Sequence, residues 1–219
     1  MRTRRPPTST QQDSSYERLR QWLGLGRFLP GERLKIRQVA ADLGVGVMPV
    51  RAALQRLAAE GALVNNPNCG VSVPLLTRAE FDDLLQARLL LEGEAAERGT
   101  LRLGDADVAR LVALAARMGE AVAAADAKAY LDANEDFHRG LYAAAGSPTL
   151  MHLIETLWLK AGPISNRLFD APEAVARLND AHEDAVAALQ RRDGAAVREA
   201  IERDLFVAGQ TLRRRCLAG

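Results

Sequence analysis

The chain has 219 residues, enough for one or two domains that each bury a core. Its net charge of +1 averages two unlike parts: residues 1–75 carry 11 Lys+Arg against 5 Asp+Glu, and residues 76–219 carry 18 against 23. No apolar run approaches the ~20 residues that span a bilayer. The basic N-terminus has no apolar stretch after it, so it does not read as a signal peptide. The two cysteines, Cys69 and Cys216, are too far apart in sequence to suggest a disulfide framework or a ligand cluster. These features point to the cytoplasm and to a basic third suited to phosphate, with an acidic remainder that avoids it.

Residues 1–14 are rich in Pro, Ser, Thr and Gln and read as a flexible basic arm, in which Arg2, Arg4 and Arg5 are solvated or touch phosphate. A first helix is predicted over about 15–25, with Tyr16, Leu19, Trp22 and Leu23 on one face. A second follows over about 36–43, burying Ile36, Val39, Ala40 and Leu43, and Gly44 supplies the left-handed turn after it. A third spans about 48–60, with Pro49 in its first turn and Val50, Ala53, Leu54, Leu57 and Ala58 inward. Alternating segments at 62–64 and 71–73 then flank a polar loop as a small wing. Two short helices around a glycine turn, followed by a hairpin, make a winged helix-turn-helix over residues 15–75. Its third helix is the one that enters the major groove of double-stranded DNA. Arg51 near the start of that helix offers a bidentate guanidinium to guanine or phosphate, and Arg56 reads as a solvated or dimer-facing charge.

The run from Pro30 to Val73, PGERLKIRQVAADLGVGVMPVRAALQRLAAEGALVNNPNCGVSV, resembles the DNA-binding half of the GntR family of bacterial transcription regulators. The resemblance places Arg51 at the family's DNA-contacting arginine, Arg37 at a second contact position and Gly70 at the wing tip that meets the minor groove. One departure stands out: Gly46-Val47-Met48 replaces the usual Ser/Thr-Arg-Thr. A cationic contact is lost there, and Val47 and Met48 offer only apolar contact to a thymine methyl.

From Thr77 the pattern is entirely helical. Six helices are predicted, over about 78–101, 105–125, 127–145, 148–168, 171–191 and 194–215, as an antiparallel bundle filling residues 76–219. Thr77 and Glu80 form a capping box. Within this half, Asn134 and His138 are four residues apart and share a helix face. With His182 and Asp204 they make one amide oxygen, two imidazoles and one carboxylate, a set suited to a divalent metal such as Zn or Ni. The alternative is a set of polar side chains satisfied by hydrogen bonds.

The segments ARLLLEGEAAERG, DFHRGLYAAAGSP and AHEDAVAALQRRDGAAVREAI resemble the FCD ligand-binding domain that accompanies this winged helix in one GntR subfamily, and six helices resemble its VanR-like branch. The resemblance implies metal ligands at Asn134, His138 and His182, with Asp204 where the last usual histidine stands. It also implies a small organic-acid effector, for which Arg88 is the expected carboxylate partner, with Arg139, Asn166 and Arg167 as further cavity residues. Arg88 can equally pair with Glu92 four residues on. The sum is a mainly α homodimer that reads a short inverted repeat, with the sense of a repressor and no enzymatic role. Two other readings stay open: a constitutive DNA-binding dimer, and a metal-dependent enzyme fused to a DNA-binding module.

Overall fold

The computed structural model describes residues 11–67, 70–165, 167 and 172–218. Arg2, Arg4 and Arg5 of the predicted arm, Cys69 in the wing and Asn166 lie outside them.

The first helix, α1 (Gln11–Gly24), begins four residues before its predicted start, so the end of the predicted arm is already helical. Leu19 and Leu23 on its inner face are fully buried. After β1 (Arg33–Leu34) come α2 (Ile36–Leu43) and α3 (Val47–Ala59). Gly44 has φ +67° and bonds back to the carbonyls of Ala40 and Ala41, which ends α2 and turns the chain into α3. Val39, Leu43, Val50, Leu54 and Leu57 close on α1.

The wing differs from the expectation. Ala62 and Leu63 are not strand: both are buried, and their N–H groups bond to Leu57 O in a turn. The strands are β2 (Val64–Asn66) and β3 (Gly70–Ser72), and β1 joins them in the antiparallel order β1-β3-β2, with Leu34 opposite Val71. A two-residue strand has no periodicity to read, so β1 was invisible in the sequence.

Six helices follow among the described residues: α4 (Arg78–Thr100), α5 (Asp105–Ala123), α6 (Ala127–Ala143), α7 (Pro148–Ser165), α8 (Pro172–Gln190) and α9 (Gly194–Arg213). The Thr77–Glu80 capping box is present, and Asp126 and Asp193 cap α6 and α9 with single side-chain bonds from the N–H groups of Ala129 and Ala196. Helix α9 packs along α4 and α8, and α5 packs along α6 and α8. The core they enclose includes Phe81, Leu111, Met118, Tyr130, Phe137, Leu141, Ile154 and Leu189.

The two halves touch through α1 and α7. Leu159 of α7 is buried in the core of the N-terminal half, and Arg20 pairs with Glu155 at 3.2 Å. About one turn past Leu159, Gly162 lies so close to α1 that a Cβ there would stand 2.2 Å from Leu23 O and 2.5 Å from Gly24 O. The absence of a side chain at this position is what lets the helices approach.

Candidate DNA interface and metal centre

The start of α3 is open to solvent. Met48 is 67% exposed, Val47 is exposed beside it, and Arg51 one turn on is exposed as well. Arg37 on α2 is also exposed, and neither arginine forms an ion pair among the described residues. Gly70, exposed with φ +80°, opens β3 at the wing. Helix α3 thus presents one guanidinium and two apolar side chains along its leading turn, as its sequence implied.

Arg56 is not a free charge. Its guanidinium stacks 3.7 Å over the Tyr16 ring and pairs with Glu60 at 3.1 Å, while the Tyr16 hydroxyl donates to Glu60 Oε2 at 2.6 Å. Burial, together with that hydrogen bond, pushes the Tyr16 hydroxyl up to about 12. This set clamps α1 to α3. Sequence reading missed it because it joins residues 44 apart.

Within the bundle, α6, α8 and α9 bring His138, His182 and Asp204 together, all three buried. The Nε2 atoms of the two histidines lie 3.2 Å apart. His138 Nε2 is 3.4 Å from Asp204 Oδ2, and His182 Nδ1 is 3.8 Å from Asp204 Oδ1. Phe137 stands edge-on to both imidazoles, with ring centroids 5.6 and 5.3 Å away, and gives the cluster an apolar floor. Burial favours the neutral acid of Asp204, yet His182, His138 and Arg88 together hold its carboxyl below the usual range.

The donor set fits a divalent ion. Ligand atoms on a tetrahedral ion with bonds of about 2.0–2.1 Å lie roughly 3.3 Å from one another, close to the 3.2 and 3.4 Å separations here. One ligand atom from each of the three residues can be chosen so that all lie within 4.8 Å of one another. Asn134, one turn before His138, lines the same cavity.

That cavity is a cleft partly open to solvent. His138, Asp204, Asn134 and Arg88 form its polar end, and Leu131, Trp158, Leu205, Ala208 and Leu212 supply apolar wall. Gly24 and Leu25, from the end of α1, also line it. Arg88 therefore reaches the cavity, and its Nε is held by Glu92 Oε1 at 2.7 Å, the intra-helix pair that the sequence offered as one of its two roles.

The other expected cavity arginines are elsewhere. Arg139 lines a separate cleft between α1, α6 and α7, where it pairs with Glu135 at 2.9 Å and Glu155 at 2.5 Å. Arg139 stands about 100° further round α6 than His138, and its pairs with Glu135 and Glu155 hold its guanidinium in the cleft beside α1. Arg167 is half-buried and does not line the cavity. Sequence reasoning missed Tyr142, whose hydroxyl is 2.8 Å from His138 Nδ1. Its position one turn after His138 was the available signal. It also missed Trp158, for which spacing offered none.

Comparison with known proteins decides the family. Residues 11–73 match the model of the bacterial regulatory proteins of the gntR family, and residues 83–206 match the FCD domain, more than half of the chain. The chain belongs to the GntR family and carries an FCD domain. Like its relatives, this GntR protein is a DNA-binding transcriptional regulator and not an enzyme. It is 31% identical over 153 residues to the HTH-type transcriptional regulator McbR of Escherichia coli K12, covering 70% of this chain and 69% of McbR. It is 26% identical over 195 residues to the HTH-type transcriptional repressor GlaR of the same organism, covering 83% and 86%. The solved structure of E. coli McbR/YncC superposes with a TM-score of 0.88 at 26% identity, covering 95% of this chain and 99% of that one. A GntR-type regulator structure from Rhodococcus sp. RHA1, at 22% identity and a TM-score of 0.76 over 93% and 98% of the two chains, shares the fold. No described helix is long and apolar enough to cross a membrane.

Proposed function

We propose that this GntR regulator acts in the cytoplasm as a homodimeric repressor whose hold on a short inverted-repeat operator is released by a small organic acid. The acid binds in the bundle cavity beside a divalent metal, Zn or Ni, held by His138, His182 and Asp204 with Asn134. The observation that carries this reading is the shape of the cavity. One end is the His–Asp cluster, and another part of its wall is Gly24 and Leu25 at the end of α1, the helix that braces the winged unit. A molecule filling the cavity presses directly on the seat between the two halves, so occupancy can shift the winged helices without a long relay.

Charge makes the metal a condition for the acid. Arg88 is paired with Glu92 and Arg139 with Glu135, and Asp204 adds a further carboxylate to the cavity wall, its carboxyl held below the usual range by His182, His138 and Arg88. An incoming carboxylate is repelled by Asp204 and finds Arg88 committed. When bound, the ion supplies the positive charge that offsets Asp204 and attracts the acid. Repression is supported by the like organisation of GlaR, a named repressor.

The test begins with elemental analysis of protein purified without chelator, wild type beside the His138→Ala, His182→Ala double variant. About one ion per chain, lost in the variant, is the expected result. Operator fragments are then challenged with small carboxylic acids, with and without the ion. Release only in the presence of the ion supports the proposal. No ion after incubation with Zn²⁺ or Ni²⁺ refutes the metal centre, and undiminished DNA binding under every acid refutes the effector.

A further inference from the structure

We infer that residues 216–218 form a strap that ties α9 to the linker between the two halves, so that α9 acts as a lever from the bundle cavity to the winged unit. Its use in regulation rests on the effector reading above, whereas the contacts themselves do not. The match to the FCD domain ends at residue 206, short of the strap.

The linker is residues 74–77, between Val73 and the start of α4. Val73 is buried in the winged core; its N–H donates to Glu32 O at 2.9 Å, and its carbonyl accepts from Gly31 N–H at 3.1 Å. At the other end Leu76 packs against the bundle core, and there the strap meets it. Leu217 N–H donates to Leu76 O at 3.0 Å, and Arg78 N–H donates to Leu217 O at 3.1 Å, across a parallel bridge between Thr77 and Leu217. Arg78 opens α4, where an N–H finds no carbonyl in its own helix. Leu217 supplies that acceptor and so completes the α4 terminus. What is left of the linker is Pro74-Leu75. Among the described residues neither makes a backbone–backbone hydrogen bond, and the proline ring fixes φ at about −65°. The pivot between the halves is therefore short and stiff.

The strap is continuous with α9. Cys216 is buried and its N–H donates to Arg213 O at 3.2 Å, while Arg213 donates to both carboxylate oxygens of Asp82 on α4 at 2.6 and 2.8 Å. The same helix carries Asp204, Leu205, Ala208 and Leu212 into the cavity wall. From Asp204 to Arg213 is about 13 Å of unbroken helix, which moves as a body. An occupant that displaces α9 therefore draws on Leu76 and Arg78. This path is separate from the α1 contact through Gly24 and Leu25.

The test uses full-length, ligand-free protein beside a chain ending at Cys216, which lacks both strap bonds, and Leu217→Ala, which keeps them. Hydrogen exchange should find the Arg78 amide protected in the wild type and in Leu217→Ala. In the shortened chain its exchange should rise at least about tenfold, with the α4–α9 core close to wild type. An unprotected Arg78 amide in the wild type, or unchanged exchange in the shortened chain, overturns the strap. Should the shortened chain fail to fold, Leu217→Pro removes the bond to Leu76 and makes the same test. A duplex selected from random DNA by the wild type then reads the lever. Ala208→Phe fills the cavity from α9, as an occupant would. It should change affinity for that duplex by at least about threefold in the intact chain, and by less than about twofold in the shortened one. Equal changes in both chains, or none in the intact chain, overturn the lever. Small carboxylic acids separate this result from the effector reading. Acids that release DNA equally from both chains keep that reading and remove the lever. Acids that release it from neither remove the effector, while the Ala208→Phe pair still decides the lever.

Discussion

Replacing Gly162 by alanine tests whether the two halves are truly seated on each other. The added methyl would stand 2.2 Å from Leu23 O and 2.5 Å from Gly24 O, both backbone atoms that no side-chain rotation can move aside. Real Cβ atoms essentially never come within 3.0 Å of such a neighbour, so α1 and α7 must part by close to a further ångström. Separation on that scale loosens Leu159 in the N-terminal core and strains the Arg20–Glu155 pair. Overpacking of this kind costs typically 1–3 kcal/mol. For a chain of this length a loss of about 2 kcal/mol corresponds to roughly 4–8 °C in Tm. Calorimetry would measure that drop, and hydrogen exchange would show faster opening at the end of α1 while the α4–α9 core stays protected. Because Gly24 and Leu25 line the cavity proposed to take the effector, acid-driven DNA release, if the proposal holds, should also be blunted. A Tm within about 1 °C of wild type, with unchanged exchange in α1, would refute the argument that this contact locks the halves together.

The clamp at Tyr16 has a pH signature. Its hydroxyl titrates near 10 in an unfolded chain and is pushed up to about 12 when folded. Between those values the folded protein keeps a proton that the unfolded chain loses, so the contribution is complete below pH ~10 and fades as pH rises through the folded value. Urea unfolding on both sides of that window should show a steeper alkaline loss in wild type than in Tyr16→Phe; equal slopes would contradict the assignment. Arg51→Ala should weaken operator binding by about 5–150-fold, the equivalent of 1–3 kcal/mol for a bidentate contact. Titrations at several salt concentrations decide its kind: an unchanged salt slope marks a base contact, and a slope reduced by about one marks a phosphate. Wild-type affinity in the variant would remove Arg51 from the interface.

Much of the local architecture was legible in the residues. Gly44 marked the end of α2, Thr77 with Glu80 marked the start of α4, and apolar spacing identified the inner faces of α1 to α3, because caps, turns and helix faces are decided by neighbours within a few positions. The pairing of Arg88 with Glu92 was legible for the same reason. His138, His182 and Asp204 could be named in advance, with the family resemblance strengthening a set that spacing alone left ambiguous. Their meeting belongs to the fold, since they stand on three helices and converge only through how α6, α8 and α9 are rotated and packed. The same rotation carried Arg139 out of the cavity that His138 faces, and packing brought Gly24 into the cavity wall. Periodicity tells which residues of a helix turn inward. Only the tertiary structure decides what they meet there, because that depends on the crossing and depth of helices whose contacts are distant in the chain.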